Sequence, residues 1–224
     1  MKTALLALNG RPCSAELCRE LAFVSDLVAC ADGGFNWLSQ TGVNIDLVAG
    51  DLDSGILPDA YDFEVQHTPN QDLTDFEKIL QILLKRGFSH IFVVGANGDE
   101  PDHFLSNLMV MYKYCRQAAV ILLEDQSRMQ FITAKNLSFA CKSHSIISLF
   151  GWPQATFASS TGLQYPLDDI TLDFNRTGSR NIANETGIVI RKKTGDYLLV
   201  VNESPLGVLS ESRNLFLVNT INVA

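Results

Sequence analysis

Five short, almost wholly apolar runs constrain this chain more than any other feature: residues 4–8, 27–31, 45–49, 90–95 and 118–123. A strand buried on both faces reads as such a run, whereas a half-exposed strand alternates apolar and polar residues. Helical stretches lie between several of the runs, at 14–24, 35–40, 74–86 and 101–114. Within 74–86, Phe76, Ile79, Leu80, Leu83 and Leu84 recur at three- and four-residue steps, which is one face of a helix. Thr74 and Glu77 have the spacing of a capping box at its start. This alternation predicts an α/β fold: an open, mostly parallel sheet flanked by helices, because parallel neighbours need a crossover that packs back on the sheet.

After about residue 125 the pattern changes. Strand-like runs at 129–133, 145–150, 170–174, 188–191, 197–201 and 215–218 follow one another with no helical periodicity between them. Turn signals sit at 175–178 and at Lys193-Thr194-Gly195-Asp196. The expectation is a smaller all-β sandwich over 126–224, following an α/β domain over 1–125 with no linker between them. A chain of 224 residues that is 46% hydrophobic has ample material for both cores.

Charge excludes some partners. The chain carries 25 acidic and 17 basic residues, net −8, so it lacks the basic surface that nucleic acid or an anionic membrane requires. The apolar start at 4–8 is too short for a signal peptide, and no run approaches the ~20 residues of a membrane span. Five cysteines without metal-ligand spacing fit buried thiols in a reducing compartment, which points to the cytoplasm. Twelve of the acids lie between Asp46 and Asp102, a stretch with only three bases.

The usual nucleotide and hydrolase signatures are absent: no Walker loop, no dinucleotide fingerprint, no serine elbow and no zinc-binding histidine pair. Carboxylates at strand ends remain. Asp32-Gly33-Gly34 follows the second run and Gly50-Asp51-Leu52-Asp53-Ser54-Gly55 follows the third. Asn70-Gln71-Asp72-Leu73-Thr74-Asp75 opens a helix, and the stretch from Gly95 to His103 links the fourth run to the next helix. Each is explained singly as a turn or a helix start. An open α/β sheet, however, delivers all four to the rim beyond the strands' carboxyl ends. Asp51 and Asp53 alternate along an extended segment and converge only if the backbone bends, as Gly50 and Gly55 permit. Oxygen-rich ligation without Cys or His selects a hard cation, Mg²⁺ before zinc, and Mg²⁺ usually comes with phosphate oxygens. The residues therefore indicate Mg²⁺-dependent phosphoryl transfer at a sheet edge.

At these segments the chain resembles the thiamine pyrophosphokinase family. The resemblance rests on Asp32-Gly33-Gly34, Gly50-Asp51-Leu52-Asp53-Ser54, Gln71-Asp72-Leu73-Thr74-Asp75-Phe76, Asp102-His103 with Asn107, and Thr161-Gly162-Leu163-Gln164-Tyr165-Pro166-Leu167, five motifs in order across nearly the whole chain. It implies transfer of the pyrophosphoryl group of ATP to thiamine, giving thiamine diphosphate and AMP. It also implies that Asp51, Asp53 and Asp75 hold Mg²⁺, with Asp32, Gln71, Ser54, Thr74, Asp102 and Asn107 in the same site. Asp32 and Asp102 both remain open as the base. The resemblance further implies that Tyr165 stacks on the cationic thiamine, that Asn184 contacts it, and that a homodimer holds thiamine between the α/β domain of one copy and the β domain of the other.

Two stretches depart from the family pattern. Asp99-Glu100-Pro101 lacks a basic residue expected before Asp102, and in Asn181-Ile182-Ala183-Asn184 only the final Asn matches a Ser-Thr-Ser-Asn segment. Two rivals remain. One is a non-catalytic thiamine or nucleotide sensor of the same fold, supported by the two departures. The other is a phosphatase of the haloacid dehalogenase type, suggested by Asp51-x-Asp53 but opposed by Ser54 and the shortage of nearby lysines.

Overall fold

The computed structural model describes residues 2–51, 58, 60–98 and 100–206. Asp53, Ser54 and the strand expected at 215–218 lie outside the described residues. The chain divides into two compact units, Met1–Glu124 and Asp125–Ala224.

Among the described residues the first unit has six strands: β1 (Thr3–Ala7), β2 (Leu27–Ala31), β3 (Leu47–Gly50), β4 (Glu64–His67), β5 (His90–Val94) and β6 (Ala119–Glu124). They run in the order β6-β5-β1-β2-β3-β4, and every pairing is parallel. The apolar runs are the sheet's interior: Ala4 to Ala7, Ala29, Cys30, Leu47 to Ala49 and Ile91 to Val94 are all buried. Edge strand β4 was not among the apolar runs. Its sequence, Glu-Val-Gln-His, is polar because it is only partly covered.

Among the described residues four α-helices accompany these strands: α1 (Ala15–Phe23), α2 (Asp32–Leu38), α3 (Asp75–Lys85) and α4 (Pro101–Tyr114). Ser14 caps α1 by accepting from the Leu17 amide at 3.3 Å. Helix α2 begins at Asp32, three residues earlier than expected, so Asp32-Gly33-Gly34 is a first helical turn and not a turn before one. At α3 the Thr74 hydroxyl accepts from the Glu77 amide at 3.2 Å, but the reciprocal half of the capping box is missing. Glu77 instead accepts from Lys113 Nζ at 2.5 Å and from the Tyr114 hydroxyl at 2.7 Å, tying α3 to the end of α4. No helix among the described residues is long and apolar enough to cross a membrane.

The second unit has β7 (Ser127–Ile132), β8 (Asn136–Ala140), β9 (Ile146–Thr161), β10 (Thr171–Asp173), β11 (Gly178–Ile182) and β12 (Gly187–Asn202), all paired antiparallel. Two of these strands are sixteen residues long, which corrects the turn expected at Lys193–Asp196: residues 188–191 and 197–201 belong to one strand, β12. Each long strand serves two groups of partners. Toward one end β9 pairs with β11 and β12 with β7; toward the other, β9 pairs with β10 and β12 with β8. The β9–β12 register shifts between Arg191 and Lys192, between Lys192 and Thr194, and between Gly195 and Tyr197, where the partner jumps from Ala155 to Gly151; such bulges bend the strands. Pro153 sits in that interruption, where the ladder does not need its missing N–H. Leu137, Phe157, Ile190, Tyr197 and Leu199 form one core drawing on both ends, with Phe157 and Tyr197 edge to face at 5.1 Å.

Glu77 gives the first unit a pH-dependent tie. Burial alone raises its carboxyl, but the hydrogen bonds from Lys113 and Tyr114 more than offset this and hold it below the ordinary carboxylate range. The unfolded chain therefore takes up this proton first as pH falls. The stabilisation is complete above the ordinary value of about 4.3 and drains away as pH drops through the lowered folded value. Urea midpoints between pH 3 and 7 are expected to fall below that point in the wild type. They are expected to fall less steeply in Glu77→Gln, which has no proton to take up.

Candidate active site

All six parallel strands end at one edge, and the backbone there is laced beyond the strands themselves. Leu8 N donates to Val94 O at 2.9 Å, Gly10 N to Gly95 O at 2.7 Å and Arg11 N to Asn97 O at 2.7 Å, carrying the β1–β5 pairing into the loops. Gly10 is required by this approach: a Cβ there would lie 2.3 Å from Gly95 O. Gly34 is required likewise, since a Cβ would lie 2.6 Å from Ala7 O, and its absence lets the start of α2 press against the end of β1. Asn107 on α4 donates to Ala96 O at 2.8 Å, and Trp37 on α2 donates to Leu8 O at 2.9 Å. These bonds satisfy loop carbonyls that the sheet leaves open.

Within this rim lies a cleft of about 920 Å³, ample for a nucleotide-sized ligand. Asp51, Gln71, Thr74, Asp75 and Asn107 all line it. Gln71 Nε2 donates to Asp51 Oδ2 at 3.1 Å, joining the end of β3 to the segment before α3. Asp75 accepts from Lys78 Nζ at 2.8 Å; the lysine side chain is only 5% exposed and the aspartate 41%. A buried ammonium needs such a partner. The rest of the Asp75 carboxylate stays accessible to the cleft.

The donor set is oxygen-only, which suits a hard cation. Mg²⁺ keeps several waters and takes one or two carboxylates plus substrate phosphates, so Asp51 and Asp75 on a single cleft fit it. Among the described residues no three Asp, Glu, His or Cys side chains converge as a metal cage.

The other expected residues are placed differently. Asp32 heads α2 at the end of β2. Asp102 sits exposed in the first turn of α4 and does not line the cleft, a position that suits a carboxylate at a helix N-terminus. Its neighbour His103 does line the cleft, with Nδ1 2.9 Å from Glu100 Oε2.

In the second unit the segments of Tyr165 and Asn184 are adjacent. Leu163 bridges to Ala183, and Asn184 N donates to Gly162 O at 2.8 Å. Tyr165 is 60% exposed. Its backbone is gripped from below by the buried Asn181, whose Oδ1 accepts from Tyr165 N at 3.0 Å and whose Nδ2 donates to Tyr165 O at 2.7 Å. Asn181, a mismatch to the motif in sequence, is thus the residue that holds the aromatic ring's segment in place.

Arg11 and Lys78 also line the cleft and were missed in sequence. Arg11 follows an apolar strand as Asp32 and Asp51 do, and Lys78 lies one turn beyond Asp75; both signals were available. Nothing in the sequence pointed to Asn181, whose partner is sixteen residues away.

Residues 18–123 match the family model described as thiamin pyrophosphokinase, catalytic domain. Thiamin pyrophosphokinase 1 of Caenorhabditis elegans is 26% identical over 169 residues, covering 69% of each chain. Thiamine pyrophosphokinase 3 of rice is 26% identical over 223 residues, covering 84% of this chain and 81% of its own. Among solved structures, thiamine pyrophosphokinase from Bacillus subtilis superposes with a TM-score of 0.77 at 21% identity, over 91% of this chain and all of its own. The Candida albicans enzyme gives 0.78 at 17% identity, over 91% and 89%. At these identities the likeness is one of fold.

The Thr74 cap holds the first turn of α3, and with it Asp75, at the cleft. Thr74→Ala is expected to cost about 1 kcal/mol of unfolding free energy, with Thr74→Ser close to wild type. Chemical denaturation measures both.

Proposed function

We propose that this chain, whose residues 18–123 match the thiamin pyrophosphokinase catalytic-domain model, transfers the pyrophosphoryl group of ATP to the hydroxyl of thiamine. The hydroxyl oxygen forms a bond to the β-phosphorus, and the bond from that phosphorus to the oxygen bridging the α-phosphate breaks. AMP leaves with the electron pair, and the hydroxyl proton passes to a base. The observation that carries this reading is the gathering of Asp51, Gln71, Thr74 and Asp75 on one cleft, inside the stretch that matches the family.

Such transfer depends on positioning and charge neutralisation more than on covalent chemistry. Mg²⁺ supplies neutralisation of the polyphosphate when bound, with Asp51, Asp53 and Asp75 as its protein ligands. Gln71 orients the Asp51 carboxylate through its amide. Thr74 sets the first turn of α3. Ser54 and Asn107 complete the nucleotide side, Asn107 by holding the Ala96 carbonyl and so the loop after β5. Asp32 and Asp102 are the two candidates for the base. The all-β unit supplies Tyr165, whose exposed ring suits stacking on a thiazolium cation, with Asn184 beside it. A homodimer bringing the α/β unit of one copy to the β unit of the other encloses thiamine, and five cysteines outside any disulfide accord with a cytoplasmic protein.

Purified protein given thiamine, ATP and Mg²⁺ is expected to release AMP and thiamine diphosphate in equal amounts. Asp51→Asn and Asp53→Asn should each lower turnover on the order of a hundredfold or more with the fold retained. Near-normal rates would remove these residues from the ligand set. Thiamine binding without turnover would identify a sensor, and phosphate release from simple monoesters a phosphatase.

A further inference from the structure

The cleft presents a charge problem to the substrate proposed for it. Among the described residues, Asp51, Asp72, Asp75 and Glu100 line it, whereas the Lys and Arg residues lining it are Arg11 and Lys78. A triphosphate brings up to four more negative charges. Lys78 is buried and sits 2.8 Å from Asp75, so much of its charge is answered within the protein. The loop before α4, where the family resemblance anticipates a base, reads Asp99-Glu100-Pro101.

Arg11 differs from Lys78 in place and in chemistry. It stands in the loop after β1, exposed, on the lining of the same cleft. Its backbone is tightly held: Arg11 N donates to Asn97 O at 2.7 Å, and Gly10 beside it is pressed against Gly95. Pro12 restricts Arg11 further to extended backbone. A rigid base under a long side chain limits the ordering cost of binding. The guanidinium is always charged and offers a planar fork of donors that matches phosphate oxygens two at a time.

Resting on the reading of this cleft as an ATP site, we infer that Arg11 binds the β- and γ-phosphates, substituting from the β1 loop for the base absent before α4. Arg11 is thus a substrate-binding residue that positions the group to be transferred. The contact is to the polyphosphate and not to the nucleoside, so its loss acts on ATP and spares AMP.

Calorimetry on the full chain with Mg²⁺ tests this. Arg11→Gln is expected to weaken ATP binding tenfold or more, the range for charge-assisted hydrogen bonds, while AMP binding stays within about twofold. Arg11→Lys, which keeps the charge without the fork, falls between. In turnover assays the KM for ATP rises and the KM for thiamine does not. Unchanged ATP affinity in Arg11→Gln, or equal losses for ATP and AMP, overturns the inference. If the wild type binds ATP and Arg11→Gln loses it, yet no thiamine diphosphate forms, this inference stands and the proposed reaction falls. If the wild type does not bind ATP, both fall.

Discussion

The cleft depends on one close backbone approach, that of the loop after β1 to the loop after β5. Three successive hydrogen bonds, from Leu8, Gly10 and Arg11 to Val94, Gly95 and Asn97, extend the central strand pairing beyond the sheet. Only a residue without Cβ at position 10 allows it. With that seam closed, Trp37 and Asn107 attach α2 and α4 to the same loops, and the carboxyl rim becomes a rigid frame for the acids around it. Such rigidity is what a site that works by positioning requires.

The concentration of acids is reconciled with stability by pairing most of what is buried. Glu77 answers Lys113 and Tyr114, and Lys78 answers Asp75. In the second unit Glu203 receives Arg128, Ser145 Oγ and the Lys142 amide. At Glu77 and Glu203 several donors meet one carboxylate, the condition under which a buried charge is tolerated. The cleft acids are treated differently: Asp51 and Asp75 each have a partner and still line open space. Acids held this way suit a cation that arrives with its own phosphate ligands.

Much of the α/β unit was legible in the sequence because its strands are buried on both faces. Residues 4–8, 27–31 and 118–123 could be read from composition alone, since a central parallel strand has no polar face to confuse the pattern. Edge strand β4 lacked that signal. The β unit was harder to read. Gly151, Pro153 and Gly195 interrupt β9 and β12 locally, and the sequence there resembles turns; the continuity of each strand comes from pairing with the other across the bend. A bulge and a hairpin turn draw on the same residues, and only the partner strand distinguishes them.

The sequence by itself determined the chemistry available: oxygen ligands at strand ends, an aromatic in a defined motif, and no soft metal site. It also determined that Asp51, Gln71, Thr74 and Asp75 share a rim, because parallel topology leaves their segments no other place. Tertiary structure decided which residues actually meet. Arg11 and Lys78 line the cleft while Asp102 turns up on an exposed helix start, and Asn181, unmatched in the motif, grips Tyr165. These outcomes depend on loop lacing and strand bending between residues far apart in the chain. Local propensity carries no information about such contacts, since their energy exists only once both partners are in place.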